Sequence, residues 1–251
     1  MSEESIVGKS LAEVLNAQLM PKHVAFIADG NRRWANERGL PAEVGHCAGK
    51  RALVELTFLS RKWGIKVVSI FVFSTENWKR PKEEVSSMMS LFQELVDFDR
   101  YGTRISCIGD RSRLPECLRE VINSVEEKTK CNNGVHLIIA INYSGRYDIL
   151  QATRRIAGKV KDGTVGHEDE IDENVIDEEL QTNCAAFPCP DLVIRTSGEQ
   201  RLSNFIVWQL AYSNSSSPTN TFRTLRKKIM LRRWFGFRGG IAVLVGLNCF
   251  I

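Results

Sequence analysis

Three polar strings mix carboxylate, amide, hydroxyl and guanidinium groups directly after an apolar run. The first, FIADGNRRWANERG, places Asp29, Gly30, Asn31, Arg32 and Arg33 in consecutive positions. A carboxylate there can hold Mg²⁺, a glycine lets the backbone approach a phosphate, and a guanidinium forks onto diphosphate oxygens. The same residues also make an ordinary strand-to-helix turn with solvated arginines. The second, FSTENWKRP, offers Ser74, Glu76, Asn77, Trp78 and Arg80 within seven residues. A tryptophan in a polar turn needs a surface to pack on; a Ser74/Asn77 capping box with Trp78 in the core is the competing reading. The third, DLVIRTSGEQRLSNF, sets Arg195, Arg201 and Ser203 around Gly198. Arginine, serine and backbone N–H groups at a turn form an anion nest suited to a second diphosphate. His46, in GHCAG at a helix start, is either a further phosphate donor or a cap.

Other chemistries lack their signatures. There is no G-x-x-x-x-G-K-[ST] loop, no G-x-G-x-x-G after the first strand and no G-x-S-x-G elbow, which leaves a kinase, a dinucleotide enzyme and a Ser-His-Asp hydrolase unsupported. Seven cysteines form no C-x₂-C pair and have no nearby histidine cluster. Neither a zinc site nor a disulfide framework is indicated, and a reducing compartment is implied. The net charge of +4 comes from residues 222–238, which hold seven Lys/Arg and no acid. That excess is too small for a phosphate-tracking surface, so no nucleic-acid partner is expected. The opening MSEESIVGKSLAEVLNAQ lacks an apolar core, and no run of about 18 apolar residues occurs. The expectation is a soluble protein of the cytoplasm, or of the plastid stroma if a transit peptide has been removed.

The elements that must position these strings are legible in outline. With 251 residues, 43% of them apolar, the chain supports one sizeable core. Apolar, β-branched runs at 23–29, 67–74, 103–110, 135–144 and 191–195 read as strands. Helical periodicity fills 47–63, 82–97, 114–128 and 147–160, whereas 161–179 is acidic and reads as a solvated excursion. Strand alternating with helix predicts an α/β single domain, a mostly parallel twisted sheet flanked by helices. In such sheets ligands bind at the carboxyl ends of the strands, so the polar strings converge on one rim.

Six stretches, HVAFIADGNRRWA, GHCAGKRAL, FVFSTENWKRP, RISCIGDRSRLP, LIIAINYSGRYDIL and PDLVIRTSGEQRLSNFIVWQLAYS, run in order from about residue 20 to 213. Together they resemble the cis-prenyltransferase family, which includes undecaprenyl and dehydrodolichyl diphosphate synthases and short-chain plant members. The resemblance implies the undecaprenyl diphosphate synthase-like fold with a hydrophobic tunnel. It also implies condensation of isopentenyl diphosphate with an allylic diphosphate, a Mg²⁺ cofactor and a homodimer. By that resemblance Asp29 holds Mg²⁺ on the allylic diphosphate, and Gly30, Asn31, Arg32 and Arg33 cradle it with Trp34 and His46 alongside. Ser74, Thr75, Glu76, Trp78 and Arg80 line the reacting centre, and Asn77 matches the position assigned to proton removal. Arg195, Arg201, Leu202 and Ser203 bind the isopentenyl diphosphate. Tunnel candidates are Leu53, Leu56, Phe58, Met88, Met89, Leu91, Phe92, Ile138, Ala140 and Asn142. The resemblance divides the chain into an N-terminal helical segment (1–20), a catalytic domain (21–213) and a tail (214–251).

Four departures from the family pattern stand out. Ala28 replaces a usual methionine, Ala42 replaces an arginine of bacterial members, and the connection 93–102 is short, which hints at a short product. The fourth is the tail. After Ser213 the family continues with Glu-Leu, that glutamate being a second Mg²⁺ ligand, and ends in a basic helix at the dimer contact. Here NSSSPTNTFRTLRKK follows, with the neutral Asn214 in the glutamate's place. Deleting the first base of that glutamate codon turns Ser-Glu-Leu-Phe-Phe-Thr into Ser-Asn-Ser-Ser-Ser-Pro. Reversing the shift restores ELFFTHKHFSDFEEEDYVETVVRFQRR, so a frameshifted, poorly ordered tail is expected. Read as printed, 223–237 mixes Lys/Arg with Trp234, Phe235 and Phe237, which suits at most peripheral contact with an anionic membrane surface. A catalytically silent partner subunit of an active synthase is the alternative function; retention of Asp29, Arg33 and Arg80 speaks against it.

Overall fold

Runs such as VVSIFVFS and HLIIAINY contain almost no polar interruption, the pattern of strands buried on both faces. In the computed structural model, which describes residues 20–94, 102–167 and 170–222, they form the centre of a six-stranded sheet. The strands are β1 (His23–Ile27), β2 (Val67–Ser74), β3 (Arg104–Ile108), β4 (His136–Tyr143), β5 (Leu192–Arg195) and β6 (Asn214–Ser216). Their order is β3-β4-β2-β1-β5-β6, with every neighbouring pair parallel. The helices are α1 (Asn31–Asn36), α2 (Ala42–Lys62), α3 (Lys82–Phe92), α4 (Glu116–Thr129), α5 (Gly145–Lys161) and α6 (Glu173–Glu179).

From β1 the chain crosses to β2 on one side and later returns to the other side as β5. The carboxyl ends of β1 and β5 are therefore a topological switch point, where α/β sheets form their crevices. Ile27 pairs with Arg195 in this register, which brings the residues after β1 beside the end of β5. Alternate residues of each strand face opposite layers. Phe26, Ile70 and Ile139 face Leu53, Met88 and Phe92 of α2 and α3. Ile27, Phe71, Ile138 and Ala140 face the second layer with Phe205 and Leu210.

Several sequence expectations change. Helix α2 starts at Ala42, behind Pro41, five residues before the expected start; its first turn carries Glu43, favourably placed at a helix N-terminus. The excursion after α5 contains α6, capped by Asp172, whose carboxylate accepts from the Val175 N–H at 3.0 Å. Ile138 and Ala140 point away from α2 and α3, so their neighbour Ile139 takes the tunnel side instead. Residues 214–222, expected to be poorly ordered, pair with β5 as β6 and then pack against the end of β1. The N-terminal segment before Met20, the short connection across 95–101 and the tail from 223 lie outside the described residues.

Candidate active site

The rim is built on the turn that follows β1. Gly30 adopts φ 89°, and a Cβ there would overlap Ser197 Oγ, so only glycine lets the β1 turn and the β5 turn approach this closely. Asp29 Oδ1 accepts from the Gly30 N–H at 2.7 Å, and Oδ2 accepts from Arg195 Nη2 at 2.8 Å. Thr196 Oγ1 donates to the Asp29 carbonyl at 2.7 Å and accepts from its N–H at 3.0 Å. The first and third strings are thus locked together. Arg195 is almost fully buried, and its Nη1 also donates to the Arg201 carbonyl and Ser203 Oγ.

Behind Arg195, the rest of the third string plays another part than expected. Arg201 turns its guanidinium outward to Glu199 and gives only its carbonyl to the cluster. Leu202 and Ser203 are exposed. The anion nest is closed as well: the Ser197 and Gly198 N–H groups donate to the Asn220 and Pro218 carbonyls, each at 2.8 Å. Those carbonyls come from the chain after β6, which runs back along the turn.

A cavity of about 400 Å³ opens beside Asp29. Its polar mouth carries Asp29, Gly30, Asn31, Arg32, Arg33, His46 and Arg80, and its apolar depth carries Leu53, Met88, Leu91 and Phe92 with Ile70 and Ile139 of the sheet. Two cations at the mouth share a counter-charge: Glu84, with a side chain only 11% exposed, accepts from Arg80 at 2.8 Å and lies 3.6 Å from Arg32. Burial holds the His46 pKa below its usual value, against the opposing pull of Glu84, so at neutral pH it is an uncharged imidazole. Its Nδ1 is buried and unpartnered.

The second string delivers only Arg80 to the cavity. Asn77 Oδ1 accepts from the Ser74 N–H at 3.0 Å and completes a capping box with the Ser74 side chain, so both polar groups serve the 3₁₀ turn Thr75–Lys79. An amide is a very weak base, and Asn77 is not part of the cavity wall. Trp78 donates to Asn142 Oδ1 at 2.7 Å, lies edge-on to Phe73 and carries Arg113 over its ring. Glu76 pairs with Lys79 at the surface, and Thr75 is not part of the wall. Trp34 lies under the Arg38 guanidinium and is also off the wall.

Among the residues that the sequence reading missed, four stand out. Lys50 stands one helical turn after His46 on α2, a spacing that could have flagged it. Asn36 ends α1 on the same wall. Glu84 follows Arg80 at i+4, the spacing of a helical ion pair. Phe222 reaches the wall from the tail, and no local pattern points to it.

Comparison with known proteins accounts for this arrangement. A sequence profile of the Prenyltransf family, the undecaprenyl diphosphate synthase family, matches residues 27–238, running past Ser213 through β6 and beyond. Dehydrodolichyl diphosphate synthase 2 of Arabidopsis thaliana is 55% identical over 210 residues, covering 82% of this chain and 67% of that protein. The chloroplastic (2Z,6Z)-farnesyl diphosphate synthase CPT6 of Solanum lycopersicum is 50% identical over 226 residues, 90% of this chain and 79% of that one. Among solved structures, lavandulyl diphosphate synthase from Lavandula x intermedia in complex with dimethylallyl diphosphate superposes with a TM-score of 0.84. It is 36% identical and covers 88% of this chain and 96% of its own.

Proposed function

Since the chain belongs to the undecaprenyl diphosphate synthase family of cis-prenyltransferases, we propose that it condenses isopentenyl diphosphate with an allylic diphosphate at the β1/β5 rim. One observation carries this reading. Asp29 and Arg195, from opposite ends of the chain, meet at 2.8 Å at the mouth of a cavity whose depth is apolar. A charged head group and a hydrocarbon tail are the ligand such a cavity fits.

Asn31, Arg32, Arg33 and Arg80 bind and orient the allylic diphosphate, and the charge of the three arginines stabilises the negative charge that grows as it departs. The apolar walls exclude water from the allylic cation while the new carbon–carbon bond forms, and the proton that the isopentenyl unit then loses passes to an oxygen of the departed diphosphate. Arg195 holds the Asp29 carboxylate in place through one oxygen while Gly30 holds the other. A carboxylate has about four acceptor sites, so this pairing leaves Asp29 able to bind Mg²⁺, which commonly takes one or two carboxylates and completes its shell with phosphate oxygens and water. Asp29 would hold the ion there; when bound, Mg²⁺ neutralises charge on the leaving diphosphate. The side chains of Ser74, Thr75, Glu76, Asn77 and Trp78 act behind the site by fixing the loop that presents Arg80.

Asn214 is exposed on β6 and off the cavity wall. With a neutral amide in place of the family's glutamate, Mg²⁺ affinity is expected to be weak, and with the family's basic interface helix replaced by the altered tail, homodimer formation is expected to be weak as well. No described helix is long and apolar enough to cross a membrane. The chloroplastic relatives favour the plastid stroma as the compartment. The tail from 214 reads as a one-base frameshift, which sequencing the transcript through the Ser213 codon tests.

Closure of the Ser197 and Gly198 N–H groups by the tail favours a second reading, a homologue that binds allylic diphosphate yet turns over poorly and supports an active synthase. Incubation with labelled isopentenyl diphosphate, Mg²⁺ and allylic diphosphates of increasing length separates the two. Asp29-dependent prenyl products support the enzyme, and binding without product supports the partner subunit.

A further inference from the structure

The chain after β6 does more than close the Ser197 turn. Its backbone is fixed at three points: Asn220 and Pro218 accept from Ser197 and Gly198, and the Phe222 N–H donates to the Asp29 carbonyl at 3.1 Å. This delivers the Phe222 ring, 2% exposed, edge-on against Phe26 with ring centres 6.4 Å apart and the planes at 68°. Phe222 also lines the cavity.

The register fixes its depth. Phe26 pairs with Ile70 across β1 and β2, and Ile70 pairs with Ile139 across β2 and β4, so the three form one rung of the sheet. Ile70 and Ile139 line the cavity wall, and Phe222 packs against the β1 end of the same rung. Asp29 lies above this rung, beyond the end of β1, but its N–H turns back onto the Ile27 carbonyl at 3.0 Å, so the separation is less than the roughly 10 Å of three extended residues. With carbon–carbon bonds of about 1.5 Å, a five-carbon prenyl unit advances roughly 5 Å. A dimethylallyl group anchored at Asp29 therefore stops short of the Phe26 rung. A farnesyl chain passes it and runs along the full length of the wall that the Phe222 ring forms between the Asp29 carbonyl and Phe26.

From this we infer that Phe222 is a specificity-determining residue, the side wall that limits how long an allylic chain the cavity accepts. The inference rests on the prenyltransferase reading of the site. The string restored by reversing the frameshift also has phenylalanine at this position.

The test is calorimetric titration, in the presence of Mg²⁺, of the full chain with the sulfur-bridged, slowly ionising analogues of dimethylallyl and farnesyl diphosphate. Wild type, Phe222→Leu and Phe222→Trp are compared. For Phe222→Leu, the farnesyl analogue should bind about fourfold tighter or more, the worth of one further buried methylene, with the dimethylallyl analogue within about twofold of wild type. Phe222→Trp should weaken the farnesyl analogue and spare the dimethylallyl one. Equal changes for both ligands would mean that Phe222 only supports the fold, and no change for either would mean that it does not bound the chain; each result overturns the inference while leaving the prenyltransferase reading intact. Failure of the wild type to bind either analogue overturns that reading and the inference with it.

Discussion

The two faces of the central strands use the same backbone for opposite ends. On the α2/α3 face, Phe26, Ile70 and Ile139 stand around an open cavity of about 400 Å³ with a cationic mouth. On the other face the described side chains pack against one another. Phe71 stacks on Phe205 with ring centres 4.7 Å apart, and Tyr143 donates to the buried Asp148 at 2.9 Å. His23 pairs with Ser69, and His136 with Ser106. One face supplies stability so that its neighbour, offset by one residue, can remain incompletely packed. Changes on the cavity face should therefore alter chemistry at little cost in stability, and changes on the packed face the reverse.

The largest expected effect is on chemistry. Asp29→Asn removes the charge and leaves one acceptor oxygen where the carboxylate accepts from Gly30 and Arg195 on two; transfer to isopentenyl diphosphate should fall by about 10³-fold or more, measured as initial rate. Thermal unfolding of the same variant should shift by about 2 to 10 °C, because one of the two hydrogen bonds is lost beside the nearly buried Arg195 guanidinium. Phe71→Ala, on the packed face, should cost about 3 to 5 kcal/mol in denaturant unfolding, with the rate per folded molecule little changed. A rate loss as large as that of Asp29→Asn would erase the division between the faces.

The packed face should also respond to acid. Burial lowers the pKa of His23 to about 3 and that of His136 to about 4, from 6.5. Between those values and 6.5 the unfolded chain binds more protons, so the stability these histidines contribute is complete above pH 6.5 and is lost as pH falls toward 4. The slope should approach about 1 to 3 kcal/mol per pH unit in chemical denaturation at stepped pH. Asp148 works the other way, since burial raises its pKa and protonation then favours the folded state, but one carboxyl opposes two histidines. Substituting His23 by Gln should flatten the profile; an unchanged slope would place the acid sensitivity elsewhere.

The smallest effect returns to the cavity mouth. Glu84→Gln keeps a hydrogen-bond partner for Arg80 while removing a negative charge beside the diphosphate position. KM for the allylic diphosphate should fall by about threefold to tenfold, more at low salt than at high, with kcat less affected. A KM that is insensitive to salt would show that Glu84 is only a structural partner.

What the sequence disclosed follows the range of its signals. The Asp29 turn, the five long strands and the meeting of the first and third strings at one rim were legible, because strand runs and strand-end polar residues are local patterns. Ile139 was missed in favour of Ile138 and Ala140, since an unbroken apolar run such as HLIIAINY carries no alternation to fix its facing. The Ser74/Asn77 capping box was visible as an alternative, and the geometry adopts it. Closure of the Ser197 and Gly198 N–H groups and the arrival of Phe222 were not legible, because both depend on a segment about twenty residues downstream folding back in an unforeseen direction. Glu84 and Lys50 lay within reach, at one-turn spacings from Arg80 and His46.

The most direct measurement is a crystal structure of the protein with the sulfur analogue of dimethylallyl diphosphate and Mg²⁺. The diphosphate should lie against the Asn31–Arg33 turn and Arg80, with the metal on Asp29 and the hydrocarbon directed toward Ile70. Diphosphate density away from Asp29, or a hydrocarbon group lying outside the α2/α3 cavity, would contradict the account.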